Sequence, residues 1–314
     1  MKQRSLRQYT PGMIAVLLFF SMLFSPRAVF SGAEDGLLLW FQNVFPTLFP
    51  FMLVSGLMMA GGGLSVISGI FGKALGRIFA TSGNGAFAVL TGFLCGYPMG
   101  AKVAADLLHS GRITKNEACY LLSFCNNTSP AFVMNFIVWK TLGKEELTVP
   151  SLLILFGVPV LLSFVFRRFY LHGEKRFHSP EGNGRHAGNG LDFAAFDSCM
   201  MDSFEGIVKV GGYIISFSIL IALFGEFSSI PLIQAALPSL EITNGIVMLH
   251  ENISDPVLSY SLIMGLTSFG GFCAAAQTNC MLRGTGISIF PYIAQKLAAF
   301  LAASSLAYLY LHLF

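Results

Sequence analysis

Gly92 to Gly111 reads GFLCGYPMGAKVAADLLHSG, and 175 residues further on Thr267 to Gly286 reads TSFGGFCAAAQTNCMLRGTG. At that constant offset Gly96 lies over Gly271, Tyr97 over Phe272, Lys102 over Gln277 and Gly111 over Gly286. Each stretch interrupts an apolar run with small and polar residues. Inside a bilayer, irregular backbone survives only where protein buries it or water reaches it. A break that recurs in both halves therefore predicts two re-entrant hairpins meeting at a solute site, as in secondary transporters built from repeats.

Composition sets the environment. Apolar residues make up 54% of the chain, charged residues 11%, and there are 31 phenylalanines among 314 residues. A soluble protein could not cover that much apolar surface, so the chain reads as an all-α integral membrane protein. The net charge is only +3 and the basic residues form no concentrated face, which excludes nucleic acid as a partner. The partners to expect are the lipid bilayer and a small-molecule solute, and small residues along many helices leave a homo-oligomer open. The six cysteines (Cys95, Cys119, Cys125, Cys199, Cys273, Cys280) form no CxxC pair and read as packing residues. Without an HExxH, a P-loop, a GxSxG elbow or a pair of intramembrane aspartates, the sequence reads as a non-enzyme with no catalytic residue, cofactor or metal site.

Apolar runs near the roughly 20 residues a bilayer requires place crossings at about 11 to 29, 44 to 60, 115 to 138, 149 to 168, 207 to 224 and 289 to 313. The hairpins occupy about 86 to 110 and 257 to 283. Lys and Arg accumulate in cytoplasmic loops. With the N-terminus inside, Lys2, Arg4, Arg7, Lys73, Arg77, Arg112, Lys115, Arg167, Arg168, Lys175, Arg176, Arg185 and Lys209 fall on the cytoplasmic side, against Arg27, Lys140, Lys144 and Arg283 outside. This predicts a multi-pass cell-membrane protein with both termini cytoplasmic. It also makes the second repeat inverted relative to the first.

Four segments follow. Residues 1–35 are an N-terminal membrane helix or a signal-like segment, with Ser31, Gly32 and Ala33 as a cleavage site on the second reading. Residues 36–170 form the first gate repeat, 171–193 a Gly-, His- and charge-rich cytoplasmic linker, and 194–314 the second gate repeat. The irregular spacing of His172, His178 and His186 suits a solvated linker better than a metal site. Segments 66–80 and 194–206 mix apolar and charged residues and read as amphipathic surface helices.

The solute site is expected at the tips and breaks. Gly96, Tyr97, Pro98 and Gly100 form the first tip, where glycine permits tight backbone and proline lacks a donor. The helix restarting near Ala101 points its amides into the break, and Lys102 adds a full charge, which together favour an anion; pairing with Asp106 is the alternative for Lys102. The second tip offers Gly270, Gly271 and Phe272, followed by Gln277. Asn126, Asn127, Thr128 and Ser129 precede Pro130 inside an apolar helix, a pattern that unwinds the helix and exposes carbonyls and hydroxyls. Lys296 is a second buried cation candidate, or else a lysine reaching for lipid headgroups. Thr114 and Glu117 form a capping box, so Glu117 reads as structural.

The runs GYPMGAK at 96–102, LLHSGRIT at 107–114 and LLSFCNNTSPAFV at 121–133 resemble the YlbJ family of sporulation integral membrane proteins, within the nucleoside-recognition (gate) domain group. TSFGGFCAAAQ at 267–277 is similar to that family's second gate repeat, and the resemblance covers about 36 to 310. It implies a fold similar to concentrative nucleoside transporters, with solute held between hairpin tips and broken helices. For the sporulation members it implies movement of dipicolinate into the developing spore. A nucleoside-type solute and a non-transporting morphogenetic scaffold are the competing readings. Cys273-Ala-Ala-Ala stands where the family has a more polar sequence, so the solute is the least transferable part of the resemblance.

Overall fold

The computed structural model describes residues 2–172, 177–178 and 192–313, and every regular element among them is helical. The expected linker falls largely outside this set, as do His186, Lys175, Arg176 and Arg185. The chain is an all-α integral membrane protein: five described helices, Pro26–Ala60, Glu145–Tyr170, Phe193–Gly225, Pro256–Met281 and Ile289–Leu313, are long and apolar enough to cross a bilayer.

α1 (Lys2–Phe24) stops at Ser25, because Pro26 cannot continue its ladder and instead starts α2 (Pro26–Leu39). A π-helical run, Trp40–Val44, joins α2 to α3 (Phe45–Ala60), so the predicted crossing at 44–60 begins at Pro26 and the expected loop before it is helical. The π run sits where Pro46 removes an amide from the ladder, and its wider turn absorbs the defect. Two short helices, α4 (Gly63–Ile70) and α5 (Gly72–Phe79), follow where an amphipathic surface segment was expected.

α6 (Gly83–Leu94) and α7 (Met99–His109) form a helical hairpin over the stretch 86–110. Gly92 faces Gly100 across it, and Asn84 Nδ2 donates to the Arg112 carbonyl at 3.0 Å where its two ends meet. A Cβ on Gly92 would run into the Cys125 carbonyl, which is why the hairpin can lie so close to the next helix. α8 (Lys115–Cys125) leaves this Arg112 end, the chain unwinds at Asn126 to Ser129, and α9 (Pro130–Phe132) with its π-helical continuation Val133–Leu142 completes the traverse. Thr114 caps α8 through the Glu117 amide, but the Glu117 carboxylate accepts from the Ser82 amide at 2.7 Å and so anchors α8 to the start of α6. α10 (Thr148–Tyr170) then returns from the Ser151 end to the Arg112 end.

α11 (Phe193–Gly225) absorbs the segment 194–206 that was expected to be a separate surface helix. It runs antiparallel to α2 and α3 in very close contact: Gly32 and Gly36 face Ser218, Gly211 lies on the Trp40 ring, and Gly206 on Met52. Trp40 Nε1 also donates to the Ile207 carbonyl at 3.0 Å.

The second hairpin departs from the sequence reading. α12 (Pro231–Ala236) and a 3-10 turn at Leu237–Ser239 enter to mid-height, and α13 (Ile242–Asn252) goes back out. α14 (Pro256–Phe269) then descends from the Ser151 end, where Ser151 Oγ and Tyr260 OH lie 3.0 Å apart. α15 (Gly271–Met281) carries on to the Arg112 end, where Lys115 Nζ donates to the Gly286 carbonyl at 2.7 Å. Residues 257–283 therefore form one broken crossing, not a hairpin. Only Gly270 separates α14 from α15, and its amide still donates to the Leu266 carbonyl at 2.8 Å; the first tip spends four residues, Cys95 to Pro98, on reversing direction. Two consecutive positive-φ glycines, Gly270 and Gly271, redirect the helix here without turning it round.

α16 (Ile289–Leu313) runs antiparallel to α15 and α14 in turn. Tyr292 meets Thr278, Lys296 meets Ser268, and Phe300 and Ser304 meet Gly265. Arg283 thus lies at the Arg112 end, and α16 finishes at the opposite one. The C-terminus and Arg112 were expected on one side; the path of α14 to α16 puts them on opposite sides.

Candidate functional site

A cavity of about 290 Å³ opens at mid-height between α2–α3 and α11 on one side and the hairpin tips and helix breaks on the other. From the first tip come Gly96 and Tyr97, from the first break Thr128 and Ser129, and from the second break Gly270, Cys273, Ala274 and Gln277. Tyr97 OH lies 3.0 Å from Thr128 Oγ1, which is itself 3.2 Å from the Thr267 carbonyl. The Tyr97 ring packs against Gly270, where even a Cβ would stand only 3.2 Å from it. Tyr97 of the hairpin tip thus meets Gly270 of the helix break, whereas Gly96 packs on Ser129 and Gly271 on Ser239, Leu240 and Ile242.

The remaining candidates lie elsewhere. Asn126 is fully buried and cross-links the two halves: its Nδ2 donates to Thr278 Oγ1 and Tyr292 OH, both at 2.9 Å, and its Oδ1 accepts from the Ala101 amide at 3.3 Å. Gly100 packs on the Cys125 carbonyl and Asn126, behind the cavity wall. Pro98 and Gly271 also lie outside the lining, and Phe272 is exposed with its ring edge-on to Phe269. Lys102 pairs with Asp106 at 2.8 Å and does not reach the cavity. Lys296 is buried too, donating to Asn127 Oδ1 and the Ser268 carbonyl at 3.1 Å each, while Asn127 Nδ2 donates to the Phe124 carbonyl at 2.6 Å. Neither lysine presents its charge to the cavity. The inference that Lys102 makes the site attractive to anions is corrected accordingly.

The charged group that does line the cavity is Glu241, which sequence reasoning missed. It sits at the tip of the second hairpin, 3% exposed, and caps α13 by accepting from the Asn244 amide at 2.9 Å. Two features could have located it. Pro231 and Pro238 divide this stretch into apolar pieces too short to span, and an isolated carboxylate follows within an otherwise apolar run. Thr243 joins it on the lining, and Gln42, Asn43 and Asn135 face it from the frame and from the continuation of α9.

Helix ends supply the rest of the electrostatics. α15 begins at the cavity, with Gly270, Cys273 and Ala274 on the lining, and so does α9 with its continuation, through Ser129, Ala131 and Phe132. Their N-terminal amides carry partial positive charge toward the space. Some are already used: Ser129 Oγ accepts from the Phe132 amide at 3.3 Å, and the Cys273 amide donates to the Leu240 carbonyl at 2.8 Å. The cavity thus combines two positive helix ends, one carboxylate at the start of a third helix, and hydroxyl and amide side chains.

No family model matches the chain, and no solved structure matches it. It is similar to the sporulation integral membrane protein YlbJ of Bacillus subtilis (strain 168), with 24% identity over 315 aligned positions that take in 90% of this chain and 77% of that protein. That similarity spans both hairpins, both breaks and the cavity between them. The similarity agrees with the resemblance to the YlbJ family carried by the residues at 96–102, 107–114 and 121–133.

Proposed function

We propose that the protein is a multi-pass transporter of a small polar, anionic solute, bound at mid-height between two inverted gate repeats. Each repeat comprises a through helix (α2–α3; α11), a half-depth hairpin (α6–α7; α12–α13), a broken helix (α8–α9; α14–α15) and a closing helix (α10; α16). The observation that carries this reading is the convergence of Tyr97, Gly270 and Glu241 on one cavity, since they come from the first hairpin tip, the second break and the second hairpin tip. Broken helices that present their ends to a solute are a recurring device of secondary transporters.

An anion is favoured by the N-terminal ends of α15 and of α9 with its continuation. Glu241 opposes it unless its charge is offset, so binding a dicarboxylate here draws in a proton or a small cation along with the solute. Positive residues support a cytoplasmic Arg112 end: with Arg283 moved there, Arg27, Lys140 and Lys144 are the basic residues left at the other end among the described residues. The Bacillus relative carries sporulation in its name, and we extend that setting to this chain.

The test is uptake of pyridine-2,6-dicarboxylate, with uridine as comparison, by vesicles containing the purified protein. The dicarboxylate should accumulate, faster with an inward proton gradient, and Glu241→Gln should remove the effect of the gradient. Gln277→Leu, which takes an amide from the lining, should weaken uptake by about tenfold. Uridine uptake without any response to the dicarboxylate would overturn the anionic assignment. Binding without flux would favour a membrane scaffold.

A further inference from the structure

We infer that the ammonium group of Lys296 is a tethered substitute for a bound metal cation, filling a monovalent-cation site built from the two helix breaks. The site has the composition of a cation cage. Asn127 Oδ1 and the Ser268 carbonyl each stand 3.1 Å from Nζ, and they come from different halves of the chain. Asn127 follows the C-terminal end of α8, and Ser268 lies in the last turn of α14. Two negative helix ends therefore converge on one positive charge.

The surroundings contain no competing explanation for the charge. Lys296 is 2% exposed, and among the described residues the ion pairs are Lys102–Asp106 and Lys209–Glu205, so no carboxylate neutralises it. A buried lysine without a counter-ion is costly unless oriented dipoles replace its water. Here the dipoles are carbonyl oxygens, the donors that alkali-metal cations take from unwound helices. The Ser268 hydroxyl, 6% exposed, has no hydrogen-bond partner of its own and stands at the same break as a further oxygen donor. Neither Lys296 nor its acceptors Asn127 and Ser268 lines the cavity. The role of Nζ is to hold the two breaks together in the way a bound ion would.

Two consequences follow, and neither depends on which solute is carried or on flux. The native protein has no need of sodium or potassium at this position, because the lysine already fills it. Removing the amine while keeping its stem leaves a vacant cage that a small free cation can occupy.

The experiment is thermal unfolding of the full-length protein in detergent, without solute, in sodium, potassium, lithium or N-methyl-D-glucamine chloride at matched ionic strength. The native protein should melt at the same temperature in all four. Lys296→Met should melt on the order of 5 °C lower in N-methyl-D-glucamine, and one or more of the small cations should restore most of that loss, saturably and with a size preference. The double variant Asn127→Asp, Lys296→Met, which adds a carboxylate to the cage, should show the same restoration at a lower cation concentration. It also serves as the readout if the single variant cannot be purified. A specific sodium or potassium dependence of the native protein would overturn the inference, as would indifference of both variants to the identity of the cation.

Discussion

The two broken helices reach the same shape by different chemistry. In α8–α9 the chain unwinds because side chains take over backbone partners: Asn126 serves Ala101, Thr278 and Tyr292, Asn127 serves Phe124 and Lys296, and Pro130 forbids the ladder from closing. In α14–α15 the break is made by backbone alone, with Gly270 and Gly271 at φ of 88° and 77°. The first break is a polar cluster that happens to interrupt a helix. The second is a conformational defect, and Gly270 leaves room for the Tyr97 ring. Side-chain chemistry should therefore dominate mutations at one, and backbone strain at the other.

The largest effect is expected at Asn126→Leu. It would strand the Ala101 amide in a dry interior and leave the hydroxyls of Thr278 and Tyr292 only their 3.4 Å bond to each other, at about 1–3 kcal/mol for each hydrogen-bonding position lost. Little monodisperse protein should survive size-exclusion chromatography in detergent, and a native-like melting curve would refute the polar-cluster account. Gly270→Ala should cost roughly 1–3 kcal/mol, since an alanine must adopt a left-handed φ and its Cβ approaches Tyr97. Thermal unfolding would detect it, and the comparison breaks if Gly270→Ala proves neutral.

A smaller change is expected from Thr128→Val, which keeps the shape and removes the hydroxyl beside Tyr97. Stability should fall by only about 1 kcal/mol, while solute affinity, read by ligand-induced stabilisation, should drop more clearly because the freed tyrosine can reorient. The smallest effect belongs to Lys102→Ala. Its pair with Asp106 is partly solvated, so the loss should be roughly 0.5 kcal/mol or less. Large destabilisation or lost uptake there would restore Lys102 to the site and blur the contrast with Lys296.

Much of the fold was legible in the residues. Long apolar runs gave α10 and α16 nearly to the residue, the Gly96-Tyr-Pro98 tip gave the first hairpin, and the Asn-Asn-Thr-Ser-Pro run gave the first break. The second hairpin was misread because glycines at a fixed offset matched a tip with a break. Glycine is used at both for the same freedom in φ, and sequence does not record whether that freedom reverses a chain or merely bends it. The true hairpin, α12–α13, was hidden by its short pieces, each too brief to register as a span. Glu241 was missed along with it. Of the residues expected at the site, Gly96, Tyr97, Thr128, Ser129, Gly270 and Gln277 line the cavity, whereas the two lysines were judged by charge when their direction depends on which helix faces which.

The glycine contacts between α2–α3 and α11 carry one last implication. Where Gly32, Gly36, Gly206 and Gly211 admit the opposing helix, side chains interlock like gear teeth, and sliding one helix past the other would drive Trp40 and Met52 through backbone. A rigid-body displacement against the rest of the molecule would therefore carry α2–α3 and α11 together as one piece.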